Sequence, residues 1–328
     1  MKAFAYVNAT SEKEAVAALS PERGKVLPLA GGMDILGLMK DYIAQPDRLV
    51  NVKNLDRTIR KSSDGGLRIG AAVTLGELAS HADAAKLYPA LVHAAAEVGT
   101  PQIRNAGTVG GNLNQRPRCW YFRNEEFNCL KKGGSRCFAV DGENEFHAIF
   151  GGGPCHIVHP SSLAVPAIAL DAKFRIVGPT GEREVAAADY YQTPDRNLLG
   201  ETVLAPNELL THVILPAPGG ARNATYEIRF KQSHDWPLAF ASVALSMNGQ
   251  AIRGARVVMG AVAPVPWRSA AAEAALTGKQ MSEQVAMAAA DAAVTGAKPM
   301  TQNAYKVQIA RTAVKRAIMK AAGLTVPV

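Results

Sequence analysis

Cysteine is almost missing from this chain. There are four in 328 residues, and all lie in one 37-residue window from Cys119 to Cys155. No apolar run approaches the roughly 20 residues that cross a bilayer, so no membrane span is expected. The opening MKAFAYVNATSEKEA has no apolar signal core, so the chain is expected to carry no export signal of its own. That leaves it cytoplasmic, or periplasmic if a signal-bearing partner carries it out. Aromatics are only 6% and the Lys and Arg residues are dispersed, which argues against nucleic-acid binding despite a net charge of +8. The basic balance suits an anionic ligand or an acidic partner. There is no G-x-G-x-x-G fingerprint, no P-loop and no C-x-x-C pair. Nor is there an acid–base dyad: Glu97, His159, His234 and Asp235 stand singly. A chain without an obvious protein catalyst but with ligand-type loops points to chemistry carried by a cofactor.

What is present alternates between strand and helix patterns. Ser11 and Glu14 form a capping box before EAVAAL, and residues 25–30 (KVLPLA) read as a buried strand. Gly31 to Asp34 break that strand, and ILGLMKDY reads as a helix. RLVNVK (48–53) and LRIGAAV (67–73) read as strands. Thr74 and Glu77 form a second capping box, opening a helical stretch to about residue 98 with a break at Pro89. Residues 100–160 have weak periodicity and read as a long irregular loop, which in a compact protein is usually functional. A helix (162–170) and a strand (172–178) follow. The Pro/Gly-rich PAPGGARN (216–223) marks a boundary. Beyond it come strands, a hairpin signal at Asn248-Gly249, and helices at 270–276, 282–295 and 303–321.

Three segments carry candidate chemistry. The cysteines are separated by nine, seven and seventeen residues. Buried core thiols would scatter along strands and helices rather than gather in a Gly-rich loop. Two disulfides and free thiols are the alternatives. Four soft sulfur ligands in a flexible loop fit a closed zinc site or an iron–sulfur cluster, and the spacing does not choose between them. His147, His156 and His159 lie close enough in sequence to replace a cysteine. In LAGGMDIL (29–36) a strand meets Gly-Gly and then a helix, which lets backbone approach a ligand such as a phosphate. QIRNAGTVGGNLNQ (102–115) is a second glycine-rich segment, about 75 residues on. Two such segments together suit a dinucleotide with two phosphates.

LAGGMDILGLMK, TPQIRNAGTVGGNL and HPSSLAVPAIALDA together resemble the FAD-binding subunits of the molybdenum hydroxylases, the xanthine dehydrogenase and aldehyde oxidoreductase family. The likeness runs nearly end to end, and the cysteine-bearing insertion resembles that of the medium subunit of three-subunit bacterial aldehyde oxidoreductases. The flavin subunit of 4-hydroxybenzoyl-CoA reductase has a comparable loop. The resemblance implies an α+β fold. A vanillyl-alcohol-oxidase-type (PCMH-type) FAD-binding domain would cover 1–221, with subdomains of about 1–56 and 57–221 and a cluster loop at 115–158. A C-terminal α+β domain of the CO dehydrogenase flavoprotein type would cover 222–328.

By the same resemblance, FAD would contact Val26, Leu27, Pro28, Leu29, Ala30, Gly31, Gly32, Met33 and Asp34, together with Thr108, Gly111 and Asn112. Ser162, Asp171 and Lys231 fall where relatives approach the flavin, and Ser162 stands where many relatives have aspartate. Cys119, Cys129, Cys137 and Cys155 would hold a [4Fe–4S] cluster. No residue of this chain is expected to be catalytic. The implied complex has a large molybdenum-cofactor subunit and a small subunit with two [2Fe–2S] clusters. Electrons would leave through FAD to an external acceptor such as ferredoxin or oxygen. The other readings are a 4-hydroxybenzoyl-CoA-reductase-like or xanthine-dehydrogenase-like flavin subunit, and a zinc-stapled interaction protein with no redox role.

Overall fold

A computed structural model describes residues 1–326. Its N-terminal part is a three-stranded parallel sheet of β1 (Ala5–Asn8), β2 (Val26–Leu29) and β3 (Arg48–Asn51), in the order β1-β3-β2. The expected helix begins after Ser11, whose hydroxyl accepts from the Glu14 N–H. Ala9, Ala15, Val16, Val26 and Val50 form the small core beneath it.

The central sheet is antiparallel. Its strands are β4 (Ile59–Lys61), β5 (Leu67–Gly70), β6 (Lys173–Gly178), β7 (Gly181–Ala186) and β8 (Leu209–Leu215), ordered β4-β5-β8-β6-β7. Strands far apart in sequence thus become neighbours, Leu67 pairing with Leu215 and Gly70 with His212, and the 100–160 segment lies between them in the chain. The helical stretch after Thr74 is in three pieces, Leu75–Ala79, Ala82–Leu87 and Pro89–Ala96. The sequence reading anticipated the break at Pro89 but not the first one. There His81 takes an N-cap position, its Nδ1 accepting from the Ala84 N–H.

The third layer holds β9 (Arg222–Ile228), β10 (Ala239–Asn248), β11 (Ala251–Gly260) and β12 (Trp267–Arg268), antiparallel in the order β12-β11-β10-β9. The hairpin falls at Gly249, with a positive φ of 59°. The helices Ala270–Leu276, Glu283–Val294 and Tyr305–Ala322 share a core with this sheet, built largely of alanines that bring helix and sheet close together.

The segment 100–160 is less irregular than its composition suggests. Thr100 and Thr108 each cap a short helix, Pro101–Ala106 and Val109–Leu113, and a third runs Trp120–Arg123. Threonine caps, followed by Pro101 in the first, start these two rather than hydrophobic periodicity, which is why a search for periodic runs passes over them.

A cleft between two glycine segments and a neighbouring thiol loop

After β2 the chain turns sharply at Ala30–Asp34. Gly32 has φ +76°, a conformation that disfavours any side chain. Gly31 lies so close to the next segment that a Cβ there would sit 1.9 Å from the Ala106 carbonyl oxygen. The two glycine-rich segments therefore pack against each other. The second is fixed by backbone bonds from Val109 N–H to Val73 O (2.8 Å) and Gly110 N–H to Ala71 O (2.9 Å). Asn112 is buried, and its Oδ1 accepts from the Ser161 hydroxyl (2.8 Å) and the Leu163 N–H (3.2 Å), drawing residues 161–163 inward.

These segments line one cleft of about 510 Å³. Of the residues singled out from sequence, Leu27, Pro28, Ala30, Gly31, Gly32, Met33, Asp34, Thr108, Gly111, Asn112 and Ser162 all line it. Four do not. Val26 points into the N-terminal core and Leu29 lies off the cleft wall. Asp171 is outside it, with φ +59° and its carboxylate 2.8 Å from Arg256. Lys231 is exposed on the segment that follows β9. Alternation along a strand sends Val26 to the opposite face from Leu27. A charged partner on the surface and the early end of β9 account for Asp171 and Lys231.

The cleft also gathers residues that the sequence left scattered. Glu97, His234 and Asp235 line it, whereas His159 is buried elsewhere. His234 has φ +59° and its Nδ1 lies 3.1 Å from Gly99 O. Arg118 stacks 4.7 Å from the Trp236 ring. The signal that could have flagged 234–237 is the break in β pattern at QSHDWP, where polar residues and Pro237 separate β9 from β10. Asp56 lines the cleft as well: burial opposes its ionisation, but bonds from Thr58 and His212 hold its carboxyl down at about 2. Arg118 is lowered to about 10 by burial, with Asp34 acting against the shift, so it stays charged at neutral pH.

Beside the cleft the four cysteines come together, all as free thiols, with Cys129 and Cys155 buried. Cys119 lies in the field of Cys129 and Cys137, and the neighbouring Cys137 and Cys155 thiols act on each other so that Cys137 is the more readily deprotonated of the two. Burial pushes the Cys119 thiol up, and Cys137 together with burial pushes the Cys155 thiol up, with the nearby backbone N–H groups of Tyr121, Phe122 and Ile157 acting against the shifts. The His147 Nε2 is 3.3 Å from Cys119 Sγ. Leu38, Tyr121, Phe122 and Ala139 wall the group with apolar surface. Among the described residues no three His, Cys, Asp or Glu side chains close on one point as ligands of a single metal ion. Four uncrosslinked thiols walled by apolar surface nonetheless supply the four sulfur donors that an iron–sulfur site uses.

Asp34 joins the two features. Its carboxylate takes Arg118 Nη1 (2.8 Å) and Arg123 Nη2 (2.6 Å) on Oδ1 and the Arg116 N–H (2.8 Å) on Oδ2. Below the loop the buried Lys131 donates to Leu198 O, Gly200 O and the Glu201 carboxylate at 2.9–3.1 Å.

The glycine-lined cleft thus sits in an α+β frame beside an all-antiparallel C-terminal layer. Residues 2–218 match the family model described as FAD binding domain in molybdopterin dehydrogenase, and residues 224–321 match CO dehydrogenase flavoprotein C-terminal domain. The aldehyde oxidoreductase FAD-binding subunit PaoB of Escherichia coli K12 is 37% identical over 316 residues, 95% of this chain and 96% of that protein. The carbon monoxide dehydrogenase medium chain of Hydrogenophaga pseudoflava is 28% identical, covering 96% of each. The crystal structure of quinoline 2-oxidoreductase from Pseudomonas putida 86 contains a chain similar over 98% of this one and 99% of its own length, with a TM-score of 0.76 and 26% identity. This chain belongs to the FAD-binding medium subunits of the molybdenum hydroxylases. Among the described residues no helix is long and apolar enough to cross a membrane.

Proposed function

We propose that this chain is the FAD- and [4Fe–4S]-carrying electron-transfer subunit of a molybdenum-dependent aldehyde oxidoreductase. It would work between the [2Fe–2S] clusters of a small partner subunit and an external acceptor, with a large subunit holding the molybdenum cofactor. The observation that carries the reading is the adjacency of the glycine-walled cleft and a pocket of four free thiols, tied through one carboxylate. The 37% identity to an aldehyde oxidoreductase FAD-binding subunit supports the substrate class.

In this reading residues 1–221 hold the flavin and 222–328 form the C-terminal domain. Ala30 to Asp34 and Thr108 to Asn112 bring backbone close to the pyrophosphate, because glycine leaves room where a Cβ would not fit. Arg116 and Arg118, both on the cleft wall, offset its negative charge. The apolar side chains of Leu27, Pro28 and Met33 exclude water along the same wall. Cys119, Cys129, Cys137 and Cys155 would hold the cluster, and because a ligand sulfur must be deprotonated, filling the loop would release their protons. Bound FAD supplies exchange between single electrons and pairs, and a bound cluster supplies a one-electron centre that also staples the loop. The test is a count of flavin and iron in the complex purified anaerobically with its partners. The expected result is one FAD and about four irons beyond the two [2Fe–2S] clusters. Zinc in place of the extra iron would remove the cluster, and absence of flavin would remove the function.

A further inference from the structure

We infer that Asp34 is a positioning residue that couples filling of the thiol loop to retention of the flavin, an inference that rests on the FAD and iron–sulfur reading above. Asp34 occupies the N-cap of the helix Ile35–Lys40, where a carboxylate ordinarily accepts from its own helix. Here it makes no such bond. Both of its oxygens are spent on donors 82 to 89 positions away, at Arg116 N–H and Arg123. A helix start has given up its local cap to hold a distant loop.

Those donors frame Cys119. Arg118 is its immediate neighbour. Arg123 also donates to Pro117 O (2.7 Å) and Arg116 O (2.8 Å), closing the turn on which Cys119 sits. On the cleft side, Asp34 ends the glycine turn whose Gly31 packs on Ala106. A second tie runs parallel to it. Glu201 lies 2.8 Å from Arg116 Nε and 2.9 Å from Lys131 Nζ, and Lys131 is two residues from Cys129. A thiol loop that is not drawn together lets Arg118 and Arg123 move, and the carboxylate that orders Ala30–Asp34 then loses its partners. Linkage makes the effect reciprocal: flavin in the cleft stabilises the loop in its metal-holding form to the same degree.

The test uses the whole complex with its partner subunits, made anaerobically as wild type, Asp34→Asn, Cys129→Ser and the double variant. Iron per chain and the rate of FAD release, read from the fluorescence of freed flavin, are measured together. Asp34→Asn should keep its iron and release FAD about tenfold faster. Cys129→Ser should lose about four irons and release FAD faster by a similar factor. The double variant should release FAD no faster than either single one, because both break the same tie. Where Cys129→Ser does not assemble, Cys155→Ala opens the loop from its other arm and carries the same comparison. Iron-depleted protein that holds FAD as the wild type does would overturn the coupling while leaving the cluster intact as a reading, and so would multiplying effects in the double variant. Wild type lacking the extra iron would instead overturn the cluster, and the coupling with it.

Discussion

Gly31 and Ala106 meet backbone to backbone: a Cβ on Gly31 would stand 1.9 Å from the Ala106 carbonyl oxygen and 2.6 Å from its carbon. Neither atom is the end of a side chain that could swing away, so the contact fixes the distance between the two glycine segments and hence the width of the cleft. Gly31→Ala should push the segments apart and cost about 1–3 kcal/mol of stability, with loss of most bound FAD. Flavin content of the purified complex and its thermal midpoint check both parts.

Arg229 bridges two carboxylates, Glu97 on the cleft (2.9 Å) and Glu227, whose side chain is only 4% exposed. Burial pushes the Glu227 carboxyl up, and Arg229 acts against that shift. Arg229→Met should therefore destabilise by about 3–5 kcal/mol, because it strands a buried carboxylate. Pairing it with Glu227→Gln should restore much of the loss. Denaturant midpoints of the two variants decide the matter.

Lys306, at the start of the last long helix, places its ammonium against the carbonyls of Phe146 (3.1 Å), His147 (3.1 Å) and Ala261 (2.6 Å). Burial pushes it down to about 7, while three acceptors meet its three donors. Lys306→Met should leave those carbonyls unpaired and cost roughly 3 kcal/mol. Limited proteolysis should then cut first near residues 140–150, where the lost bonds anchored the chain.

His159 is buried with neither ring nitrogen bonded, its ring edge-on to Tyr191 at 4.3 Å. Burial, with the Lys131 charge adding to it, lowers it to about 3 from the usual 6.5. Between those values the unfolded chain binds the proton and the folded one does not. Stability from this group is therefore full above pH 6.5 and falls as pH drops toward 3, by about 2 kcal/mol at pH 5. His159→Phe should flatten that part of the stability profile. Thermal midpoints at pH 7 and pH 5 for both proteins show whether the difference shrinks.

Much of the site could be read before any coordinates. The strand into Gly31-Gly32, the GTVGGN segment and the cysteine window are local patterns, and each has a local cause: glycines that leave room for backbone, and thiols confined to one loop. Where a tertiary partner decides, local patterns are silent. Asp171, which the resemblance sets near the flavin, pairs with Arg256. Lys231, set there by the same resemblance, lies beyond the end of β9 at Ile228.

The sequence by itself determined the capped helix starts at Ser11 and Thr74, the two glycine segments and the grouping of four thiols in one window, because turns, caps and spacing depend on neighbours within a few residues. Only the tertiary structure decided that Glu97, His234 and Asp235 share one cleft and that Asp34 holds Arg118 and Arg123 rather than its own helix. Those contacts join residues from dozens to more than a hundred positions apart. No pattern within a short window marks them, since they follow from how the layers pack.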